Sequence, residues 1–329
     1  MAMLSYRSHY APASEDQLPD LPLQEWQPTY ATLHMFMQVV GKIRLAQMPF
    51  INHWWQVPLY LTGRGLTTSP VPYGERTFQI DFDFIDHRLV IATSEGENRS
   101  LALEPMTVAR FYRAVMAALD SLGMPVSIWT QPMEVADPIP FELDELHRDY
   151  DPEYARRHWR LLAWMEPVFQ RFRGDFLGKC SPVHFFWGGF DLAVTRFSGR
   201  RAPEHPPSPF IPLSVVREAY SHEVSSCGFW AGGGPVPEPA FYAYAYPEPV
   251  GFRDWPLDVD GAYYSEDLKE FILPYASVRK SENPEETLMR FLQATYRAAA
   301  DLAGWDRGTL ERAPEGAPAG IPVPRANLH

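Results

Sequence analysis

The sequence predicts an α+β fold: two pseudo-repeated halves, each an antiparallel sheet with flanking helices, forming one compact unit. Three observations predict it. First, a set of short motifs recurs in order. Gly41-Lys42, His53-Trp54-Trp55, a strand-like run at 57–62 and Gly63-Arg64-Gly65 are echoed by Gly178-Lys179, His184-Phe185-Phe186-Trp187, a strand-like run at 192–195 and Ser198-Gly199-Arg200. Second, each set is preceded by a helical pattern and followed by further strand-like runs. Third, the helices that close the two sets end alike, at Asp120-Ser121-Leu122-Gly123 and Asp301-Leu302-Ala303-Gly304. The domain boundaries implied are a polar N-terminal arm at 1–25, a first half at 26–135, a connection at 136–150, a second half at 151–306 and a disordered tail at 307–329.

The elements follow in order. Leu33, Met37, Val40, Ile43 and Leu45 recur at helical spacing until Pro49. Strands are predicted at 57–62, 77–85, 88–93 and 99–103. The second of these alternates apolar and polar residues, as a half-buried strand must. Asp86-His87 and residues 95–98 read as turns. A helix spans about 107–122, with Pro105 near its start and Gly123 as its stop. Residues 124–135 read as extended. The second half opens with a long amphipathic helix at about 152–176, carrying Tyr154, Trp159, Leu162, Met165, Phe169, Phe172 and Phe176 on one stripe, and Pro167 is expected to kink it. Strand candidates follow at 184–197, 220–229 and 240–246, the last alternating ring and methyl side chains. Residues 247–280 read as an irregular insertion with helical potential at 266–272. The last helix, 284–302, has Asn283 as its cap, Pro284 in its first position and Glu285-Glu286 in its first turn.

Bulk properties narrow the function. A net charge of −12 with no Lys/Arg run longer than two argues against a nucleic-acid partner. Two cysteines without close spacing, Cys180 and Cys227, argue against a disulfide scaffold or thiolate zinc site and suit a cytoplasmic location. No run of about 18 apolar residues is present to span a membrane, and the N-terminus carries no secretion signal. The 46% hydrophobic content, with 10 Trp, 16 Tyr and 20 Phe, supplies a large core and enough rings to line a pocket. Fingerprints for dinucleotides, nucleoside triphosphates and serine nucleophiles are absent.

Histidine and acid residues inside the aromatic strands are the candidates for chemistry. His53 and His184 open the two matched strands, and His222 adjoins Glu223. With Glu223, Asp191 or Asp83 they have the donor types of a divalent metal site, although no local spacing fixes two ligands together. His53, His184 and His222 are therefore the candidate metal ligands, and His222 and Glu223 the candidate catalytic pair. His34, Trp55, Arg64, Trp187, Arg196 and Tyr242 are the candidate substrate-binding residues, with an Arg at each strand end suited to an anionic group. Asp81 and Asp83 share a strand face, most simply a solvated one.

Several of these blocks also carry a resemblance. Asn52-His53-Trp54-Trp55, Arg64-Gly65-Leu66-Thr67-Thr68-Ser69 and Phe82-Asp83-Phe84-Ile85-Asp86-His87 come from the first half. Ser181-Pro182-Val183-His184-Phe185-Phe186-Trp187, the run from Asp191 to Arg200, Tyr220-Ser221-His222-Glu223 and Ala240-Phe241-Tyr242-Ala243-Tyr244 come from the second. Together they resemble a bacterial family known only as a domain of unknown function, number 5996, over roughly residues 26–306. The resemblance implies an intact bacterial, cytoplasmic member of that family, and it brings no activity and no catalytic residues. The function expected from the residues is a small-molecule enzyme, metal-assisted in its most concrete form, with a His/aromatic-lined cleft between the halves. The alternative is a non-catalytic small-molecule binding protein with an aromatic pocket. Reaction type, substrate and oligomeric state have no local signature in the chain.

Overall fold

The computed structural model describes residues 18–208 and 211–312. Helix α1 (Leu23–Gln47) is buried on every side from 32 to 44, its polar His34, Gln38, Lys42 and Arg44 included, so it runs through the core. It lies between α2 (Val108–Ser121) and α3 (Pro152–Gly174). The Thr107 side chain caps α2 by accepting from the Arg110 N–H, and Asp151 caps α3 by accepting from Glu153 and Tyr154.

Between α1 and α2 run six short strands: β1 (Tyr60–Leu61), β2 (Gly65–Thr67), β3 (Val71–Tyr73), β4 (Arg76–Asp83), β5 (Arg88–Thr93) and β6 (Asn98–Ala102). They form an antiparallel sheet in the order β1-β2-β4-β5-β6, with β3 also paired to β4. Along β4, Phe78, Ile80 and Phe82 are fully buried while their neighbours are half-buried, the alternation of a strand with one face on the core.

After α3 come β7 (His184–Phe186), β8 (Asp191–Arg201), α4 (Leu213–Ala219), β9 (His222–Trp230), β10 (Ala240–Tyr246), β11 (Tyr263–Ser265), β12 (Glu270–Pro274), α5 (Tyr275–Lys280), α6 (Pro284–Leu302) and α7 (Arg307–Leu310). The second antiparallel sheet has the order β11-β12-β10-β9-β8-β7. Asn283 caps α6 through the Glu286 N–H, as its sequence predicts. Helices α3 and α6 pack on one face of this sheet. Leu59, just before β1, and Phe185 in β7 exchange both backbone hydrogen bonds at 2.9 Å, so the edges of the two sheets meet.

The fold class is the expected one: helices and two antiparallel sheets, each half beginning with a long helix and closing with α2 or α6. Several elements differ from the sequence reading. Helix α1 begins at Leu23, inside the expected arm, because Leu21, Leu23 and Trp26 are already buried. Residues 1–17 and 313–329 lie outside the described residues, while 307–310 of the expected tail form α7. His53 does not open a strand but sits in a 3-10 turn (Asn52–Trp54) with φ +58°. The single strand expected at 184–197 is two, β7 and β8, folded about Trp187 to Phe190. Residues 124–135 join no strand, and α3 runs unbroken through Pro167. The helix expected at 266–272 is instead the turn and strand of the β11–β12 hairpin.

Candidate ligand cavity

The two faces of the second sheet are built differently. On β8, Leu192, Val194 and Arg196 face the helices, while Asp191, Ala193, Thr195 and Phe197 face the other way. On β9 the outward set includes Val224, Ser226 and Trp230, and on β10 it is Tyr242 and Tyr244. Register aligns these residues in rows: Ala193 beside Gly228 beside Tyr242, and Thr195 beside Ser226 beside Tyr244. Small residues at the centre of two adjacent strands leave space that nothing fills. The result is a cavity of about 620 Å³, a size suited to a small organic molecule.

Its walls come from both halves of the chain. The floor is the outward face of β8, β9 and β10. One wall is the turn after α1, with Trp54, Trp55 and Val57. Another is the coil from Trp129 to Glu134, and a third is α4 with Val215, Val216 and Ala219, followed by Tyr220. The 3-10 turn is anchored on α4 through His53. Its N–H donates to a Glu218 side-chain oxygen at 2.9 Å, and its Nδ1 meets the Glu218 carbonyl at 3.1 Å. The Lys179 ammonium lies 2.6 Å from His53 Nε2. With the proton on Nδ1, His53 donates to α4 and accepts from Lys179. Burial, helped by that ammonium, holds its pKa below the usual histidine value.

Three carboxyls define one end. Asp191 accepts a 2.5 Å hydrogen bond from the Tyr242 hydroxyl, which reaches it across Gly228. A Cβ at Gly228 would lie 2.4 Å from that hydroxyl oxygen, so glycine is required for the reach. Glu134 arrives from the coil with φ +58°, its carboxylate against Gly188, where a Cβ would come within 2.1 Å of an oxygen. Glu270, at the start of β12, is the third. The surrounding protein raises all three, Asp191 to about 6, Glu134 to about 7 and Glu270 to about 8, with the Asp191 charge adding to the rise in both glutamates; Asp191 and Glu270 are half-buried, while Glu134 keeps an exposed side and is the least firmly shifted. Tyr220 and Tyr244 close the same end, their hydroxyls 2.9 Å apart. Among the described residues, no Lys or Arg lines the cavity.

The residues singled out by sequence fall into three groups. Trp55, Trp187 and Tyr242 line the cavity, as does His53. His34 stands just behind it. Its Nε2 donates toward the carbonyls of Trp187 and Gly188 at 3.0 and 2.8 Å, holding the β7–β8 turn, and burial pushes its pKa down to about 4. The others lie elsewhere. Arg64 is exposed and pairs with Asp83 and Asp86, both at 2.7 Å. Arg196 is buried on the opposite face of the sheet, its guanidinium stacked between Phe172 and Tyr296 and donating to the Phe172 carbonyl. Glu223 is bound by Arg200 at 2.7 Å and by Ser198 on that same opposite face. His222 lies near His53, ring centroids 5.8 Å apart, and bonds Ser221.

His184 is fully buried among Trp55, Tyr60 and Phe186, its pKa pushed down to about 3 by burial. His53 and His184 thus flank Trp55, and His222 lies beyond His53. Among the described residues, no three His, Cys, Asp or Glu side chains are grouped as metal ligands. Glu134, Glu270, Tyr220 and Tyr244 are the site residues that sequence reasoning did not single out. The run of small outward residues on β8 and β9 was the available signal for a cavity over them.

Neither the curated proteins nor the solved structures include a match to this chain. A family model does match, over residues 18–312, and by that match the chain belongs to the family described as one of unknown function, DUF5996.

Proposed function

We propose that this protein binds a small organic molecule in the cavity over β8, β9 and β10. The observation that carries the reading is the floor of that cavity. Where a packed interior would place large apolar side chains, the sheet presents Ala193, Thr195, Ser226 and Gly228, and the rings of Trp55, Trp187, Trp230, Tyr242 and Tyr244 stand around the gap. Apolar walls with a few convergent polar groups are the usual composition of a ligand site.

A second reading, an acid–base enzyme, is favoured by one specific observation. Asp191, Glu134 and Glu270 are clustered and titrate near neutrality, so at pH 7 they include both protonated and ionised members, the division of labour that general acid and general base catalysis needs. His53, with Lys179 beside it, lies away from that cluster and serves the turn.

The test is a thermal-shift screen of the purified protein against a library of small metabolites, repeated with Ser214→Trp. Ser214 is exposed on α4 and borders the cavity, so the added ring occupies its space without disturbing the core. Compounds that raise the melting temperature of the wild type but not of the variant support the cavity as the ligand site. A set of hits unaffected by the variant places binding elsewhere. Chemical conversion of a hit on incubation favours the enzyme reading over the binder.

A further inference from the structure

We infer that the ligand of this cavity is an organic cation, an ammonium group carried on an apolar or aromatic body, with the ammonium seated among Glu134, Asp191 and Glu270. The inference rests on the reading of the cavity as a ligand site and assigns its chemical class.

Three observations carry it. First, among the described residues every formally charged side chain at this end of the cavity is an acid, and no Lys or Arg lines any part of it. Second, the acids are incompletely served by the protein. Asp191 has the Tyr242 hydroxyl, but neither Glu134 nor Glu270 accepts a side-chain hydrogen bond or faces a cationic side chain among the described residues; burial and the Asp191 charge are what act on them. Asp191 and Glu270 are half-buried and Glu134 is exposed, so a ligand in the cavity can reach all three, and a group of acids with no cationic side chain beside it favours a cation. Third, the surrounding rings present π-faces. Tyr242 and Tyr244 stack 15° from parallel with centroids 6.1 Å apart, and Trp230 is the cross-strand neighbour of Asp191. A ring face attracts a cation through its quadrupole. An anion would meet three acids and no donor cation. A neutral ligand would leave the glutamates as they are.

The opposite end sets what the ammonium is attached to. Ile211, Val215, Val216, Leu45 and Phe197 line it, with Trp54 and Trp55, so the body of the ligand is apolar and large enough to reach from β12 to α4. A bare inorganic cation would leave that space empty.

The experiment compares three indoles of nearly one shape by isothermal titration calorimetry at pH 8: tryptamine (cation), tryptophol (neutral) and indole-3-propionate (anion). The expected order is tryptamine at least tenfold tighter than tryptophol, with indole-3-propionate weakest. In a Glu134→Gln/Glu270→Gln variant the advantage of tryptamine over tryptophol is expected to shrink to within about threefold. Tryptophol or indole-3-propionate binding as tightly as tryptamine overturns the charge assignment while leaving the cavity reading standing. Failure of all three indoles to bind the wild type overturns both. Equal preference for tryptamine in wild type and variant also overturns the assignment, because the acids then do not recognise the charge.

Discussion

Glu134 and Glu270 pose the sharpest question at the scale of single residues, because a fold gains nothing from holding two carboxyls where ionisation is opposed. Their consequence for stability has a definite sign. In the folded protein they titrate at about 7 and 8, and Asp191 at about 6, all above their ordinary values. Between roughly pH 4 and 8 the unfolded chain has therefore released protons that the folded chain still holds, so folding stability falls as pH rises through that window. Replacing the glutamates in a Glu134→Gln/Glu270→Gln variant removes that loss. The variant is expected to melt higher than wild type at pH 8, with the difference closing by pH 5, and Glu270, half-buried where Glu134 is exposed, is expected to carry most of it. Thermal denaturation at the two pH values checks it, and a variant that is less stable at pH 8 would contradict the account.

These residues also mark where the sequence is hard to read. Tyr242 could be placed on a cavity wall from the ring–methyl alternation of β10. Glu134 could not. It lies in irregular coil, and its partner surface, Gly188, is more than fifty residues away. Arg196 was misread for a related reason. Alternation along β8 sends it to the helix face, but only the packing of α3 and α6 shows that this face is closed and filled by Phe172 and Tyr296.

Among the elements, those with strong local signals are the ones the sequence placed well: β5, β10 and α6 match closely, the last because an Asn cap, a first-position Pro and two early acids all agree. The β11–β12 hairpin was read as helix. Leu268, Phe271 and Ile272 have helical spacing, but pairing of β12 with β10 overrides that weak local preference. The 3-10 turn after α1 was read as a strand start. Two consecutive residues, His53 and Trp54, hold positive φ there, and contacts with α4 keep them so. His53 is the link between these two cavity walls, so His53→Ala is expected to loosen α4. Amide hydrogen exchange across 213–219 should accelerate by about tenfold, the equivalent of one to two lost hydrogen bonds. Unchanged protection in α4 would show that the helix is held by its apolar contacts alone.

For the molecule as a whole, the two sheets meet at a bridge from Leu59 to Phe185 and are backed by neighbouring helices, α2 beside α1, α1 beside α3 and α3 beside α6. Neither half closes its own core. The central helix α1 takes part in both, since His34 and Gln38 bond to Trp187, Gly188 and Met133 while Phe36 stacks on Phe111 of α2. Calorimetry is therefore expected to show one cooperative unfolding transition, and two resolved transitions would mean that the halves are independent. The cavity belongs to this same scale, because the turn and coil of the first half roof a floor supplied by the second.

The measurement that bears most directly on that arrangement is a crystal structure of the protein with tryptamine. The account expects the amine to lie over Ala193, Thr195, Ser226 and Gly228, with its nitrogen within hydrogen-bond distance of at least two of Glu134, Asp191 and Glu270. An amine bound outside the cavity, or lying in it with its nitrogen turned toward α4 and away from the acids, would contradict it.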